Sequence, residues 1–281
     1  MVTAGRSCYN SVIPGFRRNE VISLQSPSPA AVQDEITGNT CTGLVKLTAV
    51  FFMLIDHAAI LFFRNAPFYN EMRLFGRIAL PLFAWGCVVG CVYTRSIPRY
   101  ALRVLFGGFA FQWLYMPVMN HNWTYLNIFF PLSLGIAAVG GIRLGKGPFR
   151  VLIPAFCLLV PDIVSALTGA SMDYTWRPVL LIVCLYLTRG DRKLLSLVFF
   201  VFCLFWGASS SQVNSFFGIP LDFINRSTLF KSILHLQGCA ILALPFILWR
   251  PPFSFRIPKW LSYLIYPAHL LLLWGIGRIL A

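Results

Sequence analysis

The sequence predicts an all-α, polytopic membrane bundle of about nine transmembrane helices with its N-terminus inside. The first observation behind this is composition. Of 281 residues, 58% are hydrophobic and only 11% charged, against roughly 25% charged in soluble domains. Mean hydropathy is +0.73, and a soluble core of this length has no room for so much Phe, Leu, Ile and Val. The second is the recurrence of apolar segments of about 17–25 residues, the length that crosses a bilayer. The third is where the charge sits. The chain carries 23 Lys and Arg against 9 Asp and Glu, a net +14. The basic residues fall mainly in short connections, as in cytoplasmic loops, and not in a continuous stripe that would read nucleic acid.

Taken in order, residues 1–42 form a polar, Ser- and Pro-containing stretch with mixed charge and no signal-peptide core. They read as a flexible cytoplasmic tail. The membrane domain, 43–281, follows. Its expected spans lie near 44–63, 74–94, 101–119, 125–142, 151–170, 176–188, 194–210, 230–249 and 260–280. The fifth carries Pro154 and Pro161, and a kink is expected there. The sixth is short and opens on Trp176-Arg177-Pro178, as a partial or tilted span does. With the tail inside, alternation puts 16 of the 23 basic residues on the inner side, at Arg6, Arg17, Arg18, Lys46, Arg95, Arg99, Arg103, Arg143, Lys146, Arg150, Arg189, Arg192, Lys193, Arg250, Arg256 and Lys259. The outer loop around His121 has none. The asymmetry favours N-terminus inside and C-terminus outside. Six of the eight cysteines lie in apolar stretches and act as small hydrophobes; Cys8 and Cys41 have no ligand-like spacing.

Ionisable side chains inside a span cost roughly 2.5–3.5 kcal/mol each to insert, which makes each one a functional candidate. Met53-Leu54-Ile55-Asp56-His57-Ala58 holds two in the first span. Successive residues on a helix are about 100° apart, so both can face one cavity. Arg77, at the start of the second span, falls in the same outer half of the membrane, where an Asp56–Arg77 pair would relieve both charges. His57 would then be free as a general base. A helix-locking ion pair is the plainer alternative. His269, after Pro267 in the last span, is a second candidate or a packing residue. Gln112, Tyr115 and Asn127 line a pathway or form interhelical bonds. Asp162 is a charged residue within a span, and His235 and Gln237 are open in role. Gly86 and Gly90 form a small-residue packing pair. The segment 140–147, with Arg143 and Lys146 among glycines, suits phosphate contact or serves as a topogenic loop; it is no Walker motif. No HExxH, CxxC pair or GxSxG occurs, so no metal site is expected.

These residues resemble a known family. Leu47 to His57 after Lys46, Gly76-Arg77-Ile78-Ala79-Leu80-Pro81-Leu82-Phe83-Ala84, Asn127-Ile128-Phe129-Phe130 and Tyr266-Pro267-Ala268-His269-Leu270 are similar, in order, to the motifs of the TraX family, over about 44–279. The resemblance implies an acetyltransferase of the bacterial inner membrane that moves acetyl from cytoplasmic acetyl-CoA to an acceptor amine or hydroxyl on the periplasmic side. That acceptor would be a pilin N-terminus or an envelope glycan. It implies catalytic roles for His57, Asp56, Arg77 and His269, and donor contacts at Lys146, Arg143, Asn127 and Tyr266. It leaves a homo-oligomer open. A small-solute or proton-coupled transporter is the alternative that polar groups in a helical bundle also fit.

Overall fold

The computed structural model describes residues 36–210, 215–216, 219–220, 235–255 and 257–280. The expected flexible tail therefore falls almost wholly outside the described residues. Its last stretch is anchored: Ile36 is buried, Thr37 Oγ1 donates to the Arg189 carbonyl (3.0 Å) and Asn39 Nδ2 to that of Phe246 (3.1 Å).

In chain order the elements are α1 (Thr42–Phe62), α2 (Tyr69–Gly76), α3 (Ala79–Tyr93), α4 (Ile97–Met119), β1 (Tyr125–Leu126), α5 (Phe129–Leu144), α6 (Phe149–Thr168), β2 (Ser171–Met172), α7 (Arg177–Thr188), α8 (Arg192–Ala208), the short β3 (Ser215–Phe216) and β4 (Ile219–Pro220), a 3-10 turn (Gly238–Ala243), α9 (Leu244–Leu248) and α10 (Lys259–Leu280). The helical class is as the sequence predicts, with differences in the spans. By length and composition, three described segments are long and apolar enough to cross a membrane: Thr42–Phe62, Tyr69–Tyr93 and Phe149–Thr168. Four other expected spans hold shorter apolar helices, and α4 is long (23 residues) but less apolar; α7, at 12 residues, rises only about 18 Å. The second span breaks at Arg77–Ile78 between α2 and α3. The fourth opens as a strand before its helix begins at Phe129. The described part of the eighth is a 3-10 turn running into a five-residue helix, where Gly238 and Pro245 weaken a continuous α ladder. Helix α6 runs unbroken through both of its prolines.

Local chemistry sets several ends. Ser96 Oγ accepts from the Arg99 amide (3.5 Å) at the start of α4, with Pro98 in the first turn where no N–H is needed. Asp191 caps α8 through the Lys193 and Leu194 amides at 2.8 and 3.1 Å. Gly169 closes α6 in the left-handed conformation (φ 69°), which a side chain would disfavour.

Helix α3 is apolar all round, and a helix of that kind is buried on every side. It forms the axis of the core. Leu82, Trp85 and Val88 pack there with Ile136 and Val139 of α5, Leu181, Ile182 and Leu185 of α7, and Phe199 of α8. Trp85 Nε1 donates to the Asn39 carbonyl (2.8 Å), which satisfies the one polar atom of that ring. On the periphery, α6 leaves Val151, Leu152, Phe156, Leu159 and Leu167 exposed. Faces this apolar are stable when surrounded by hydrocarbon.

Candidate functional site

One end of the bundle gathers the polar groups that the apolar elements carry. Helix α1 brings Asp56 and His57 six and five residues before its last residue, Phe62. The break between α2 and α3 brings Arg73 and Arg77, and α10 brings Tyr266 and His269. Strands β1 and β2 pair in parallel, Tyr125 opposite Ser171 and Leu126 opposite Met172, and so pin the 173–175 turn beside Tyr125.

Asp56 is the hub. Its Oδ1 accepts from Arg77 Nη2 at 2.5 Å, and its Oδ2 lies 2.7 Å from Arg73 Nη1 as an ion pair. Asp56 and Arg77 are both buried, while Arg73 is partly open. Gly76 allows this approach, because a Cβ there would overlap the Asp56 side chain. The remaining donors of Arg77 are also engaged. Nε donates to the Arg73 carbonyl (3.1 Å) and Nη1 to the Tyr174 hydroxyl (2.7 Å). The Tyr174 oxygen therefore accepts, and its own proton is left to donate elsewhere.

His57 does not join the ion pairs. Its Nδ1 lies 3.1 Å from His269 Nε2, with the two rings stacked 5.2 Å apart, and His269 Nδ1 lies 3.4 Å from the Ile265 carbonyl one turn earlier. Asp56, His57, Tyr115, Asp173, Tyr174 and Tyr266 share the wall of a cavity of about 50 Å³ with Met53, Gly76, Ala79, Leu80, Phe83 and Ile128. One water-sized probe needs roughly 10–15 Å³, so the space suits a group of a few heavy atoms.

The 173–175 turn carries backbone strain. Tyr174 and Thr175 are consecutive non-glycine residues at φ 59° and 56°. Such residues cost about 1–3 kcal/mol each and cluster where geometry serves a site. Burial pushes the Asp173 carboxyl up from 3.8 to about 6, against the pull of the Tyr125 hydroxyl, which donates to it at 3.2 Å, and of Arg77. Burial likewise pushes the Tyr174 phenol up to about 12, so it stays protonated at neutral pH.

Of the sequence-based candidates, Asp56, His57, Arg77, His269 and Tyr266 come together here. Asn127 is fully buried nearby, but its polar atoms are all committed. Its Nδ2 donates to the Gly108 carbonyl and to Gln112 Oε1, both at 2.8 Å, and its Oδ1 accepts from the Phe129 amide (3.0 Å). Gln112 Nε2 in turn donates to the Tyr125 carbonyl (2.7 Å), so this pair joins α4 to β1 and the start of α5. Arg143 lies in the last turn of α5 and Lys146 just past its end, at the far side of a helix whose 16 residues rise roughly 24 Å. Arg143 donates to the Cys91 carbonyl (2.9 Å) at the end of α3, and Lys146 is exposed. His235 bonds the Ser210 carbonyl, and Asp162 is exposed on α6; neither lines the cavity. Gly90 packs against the Tyr100 ring, whereas Gly86 faces open space.

Sequence reasoning missed Arg73, Asp173 and Tyr174. Arg73 had a signal, since it precedes Arg77 by one helical turn. The other two lie in a connection that hydropathy sets aside as loop.

The model of one family, described as TraX protein, matches residues 42–277. The probable fimbrial assembly protein FimC, serogroup H1, of Dichelobacter nodosus is 25% identical over 249 residues, covering 82% of this chain and 92% of that protein. No solved structure matches the chain. The family match takes in every element from α1 into α10, including each helix that supplies the cavity, and this chain belongs to the TraX family.

Proposed function

We propose that this protein is an integral-membrane acetyltransferase. It takes acetyl from acetyl-CoA on the cytoplasmic side of a bacterial inner membrane and delivers it to an amine or hydroxyl on the periplasmic side. The observation that carries the reading is one small cavity walled by His57, the doubly paired Asp56 carboxylate and the Tyr174 phenol, with His269 bonded to His57 and Arg77 to Asp56 and Tyr174.

The hydrogen-bond chain supports the following roles. With His269 Nδ1–H donating to the Ile265 carbonyl, its Nε2 accepts from His57 Nδ1–H, and the lone pair of His57 falls on Nε2. His57 is then the base that takes the proton of the acceptor nucleophile, and His269 is a positioning residue that fixes its tautomer. The nucleophile attacks the thioester carbonyl carbon. The oxygen that gains charge accepts from the Tyr174 hydroxyl, which Arg77 polarises from behind. Collapse breaks the C–S bond and releases the CoA thiolate, to which the proton held by His57 passes. Asp56 and Arg77 brace this arrangement, and Asn127 belongs to the frame beneath it. The nucleotide of the donor docks near Lys146 and the other inner basic residues, while the acyl arm reaches the cavity. The charge asymmetry of the loops supports that polarity.

The name of the Dichelobacter relative makes a pilin N-terminal peptide the first acceptor to try and an envelope glycan the second. The test measures transfer of labelled acetyl from acetyl-CoA to these acceptors by the purified protein in lipid discs. Wild type should transfer, and His57→Ala should not. Full transfer by His57→Ala would overturn the assignment.

A further inference from the structure

Of the two carboxylates on the cavity wall, Asp56 and Asp173, the proposed chemistry leaves Asp173 unused. Their surroundings differ. Two guanidiniums hold Asp56, whereas among the described residues no Lys, Arg or His lies within ion-pair distance of Asp173. Arg77 is already committed to Asp56, the Tyr174 hydroxyl and the Arg73 carbonyl. Among the described residues, the Asp173 side chain accepts one hydrogen bond, from the Tyr125 hydroxyl to Oδ1 (3.2 Å), and Oδ2 has no protein donor. A carboxylate held away from water without a counter-ion is costly. It leaves a place for a cation that arrives with the substrate.

The rest of the wall suits a cation. Tyr115 and Tyr266 share it, and aromatic faces attract an ammonium. Arg73 and Arg77 would repel one, but Asp56 pairs with both. Asp173 follows β2 in the connection to α7, beside β1, and loop polarity puts that connection on the outer side. His57 lies on α1, five residues before its last. An acceptor between them is flanked by a carboxylate on the outer connection and an imidazole on the helix.

Proton counting shows what an amine requires of such a pair. An N-terminal amine titrates near 8, so at pH 7 it is mostly an ammonium with no lone pair to attack. R–NH3+ and acetyl-CoA yield the acetamide, the CoA thiol and one further proton. His57 passes one proton from nitrogen to the CoA thiolate, and the other needs its own acceptor. A hydroxyl gives up a single proton, for which His57 suffices. We propose that Asp173 binds the acceptor as an ammonium and takes its first proton, leaving the free amine to His57. That proton passes to outer water as the product departs. Asp173 has this role only if acetyl transfer takes place at the cavity as proposed above. Raised to about 6, its carboxyl is a stronger base than an ordinary carboxylate and is still mostly ionised at pH 7. Burial raises it. Tyr125 from β1 and Arg77 and Arg73 from the α2–α3 break pull it down, and Asp56 from α1 pushes it up. The phenols of Tyr115, Tyr174 and Tyr266 complete its surroundings.

The test measures acetyl transfer from acetyl-CoA by the purified protein in lipid discs, between pH 5 and 9, to two peptides. One has a free N-terminal amine; the other is the same peptide opened with lactic acid, which sets a hydroxyl where the ammonium stood. Wild type should prefer the amine peptide at pH 7. In Asp173→Asn only acceptor that has already lost its proton reacts, about 3% at pH 6.5 for a group titrating near 8. Its kcat/KM for the amine peptide should therefore lie about 30-fold below wild type at pH 6.5, and the deficit should close to about twofold by pH 8. A purely structural lesion would lower transfer by one factor at every pH. Tyr125→Phe removes the donor to Asp173 and should move the acid limb of the amine profile to higher pH. A pH-independent deficit in Asp173→Asn, an unmoved acid limb in Tyr125→Phe, or a wild type indifferent between the peptides would overturn the role of Asp173 alone. Wild type that acetylates neither peptide would remove the acetyltransferase reading, and the role of Asp173 with it.

Discussion

Replacing Asp56 by Asn keeps the shape of the side chain and removes its charge. Arg77, buried, then loses its counter-ion at 2.5 Å, and Arg73 loses one at 2.7 Å. Removing one partner of a buried ion pair costs about 3–5 kcal/mol, because the other charge is left desolvated. The Arg73 contact is partly open to solvent and adds at most about 1 kcal/mol. Asn keeps one acceptor oxygen for Arg77 but turns an NH2 towards Arg73, so little of the loss is recovered. At roughly 2–4 °C per kcal/mol for domains of 150–250 residues, the unfolding temperature should fall by about 6–20 °C. The assay is thermal unfolding followed by Trp fluorescence in one detergent, at pH 7 and a fixed scan rate. Asp162→Asn, at the exposed carboxylate of α6, is the control and should change stability by less than about 0.5 kcal/mol. The Asp56→Leu/Arg77→Met double variant should recover stability relative to Asp56→Asn, since a well-packed apolar pair replaces a buried ionic one at little cost. If Asp56→Asn unfolds with the control, the pair is not buried as described and the reasoning fails.

Three further outcomes follow from the same geometry. Gly76→Ala forces a Cβ into an Asp56 side chain that two arginines hold in place, so it should lower stability by about 1–3 kcal/mol and abolish acetyl transfer; wild-type stability in this variant would contradict the packing. Tyr174→Phe removes the hydroxyl that accepts from Arg77 at 2.7 Å and should reduce kcat about 10²–10³-fold with CoA binding retained; an unchanged kcat would reassign the oxyanion donor. Asp173 is raised from 3.8 to about 6, so the folded state holds its proton more tightly than the unfolded chain does. Its stabilising contribution is complete below about pH 4 and is lost as pH rises through about 6. Asp173→Asn should therefore flatten the fall in unfolding temperature over that window and exceed wild type above it. An identical pH profile would place Asp173 in solvent.

The helical membrane class was readable in the sequence because hydropathy and loop charge are one-dimensional properties. Asp56, His57, Arg77 and His269 were readable because each is costly inside a span and therefore conspicuous. The companions of these residues were not. Tyr174 and Asp173 sit in a turn positioned by the β1–β2 pairing, whose partners lie 46 residues apart in the chain. A phenol in a loop carries no sign of an arginine behind it. Asn127 was conspicuous as a polar residue at the start of an expected span, yet it closes a bond network with Gln112, a distinction that only geometry makes. Span ends also slipped where backbone chemistry outweighs hydropathy, as at Arg77–Ile78 and around Gly238 and Pro245.

Donor binding tests the central claim most directly. The measurement is the unfolding temperature of wild type and His57→Ala with and without saturating acetyl-CoA or CoA, since a ligand that binds only the folded state raises it. An acetyltransferase in which His57 acts on the acceptor predicts stabilisation of both proteins, by about 2.7 kcal/mol at one hundred times Kd. No shift in either protein at saturating donor would contradict acetyl-CoA as the substrate and leave the family's fold without the proposed chemistry.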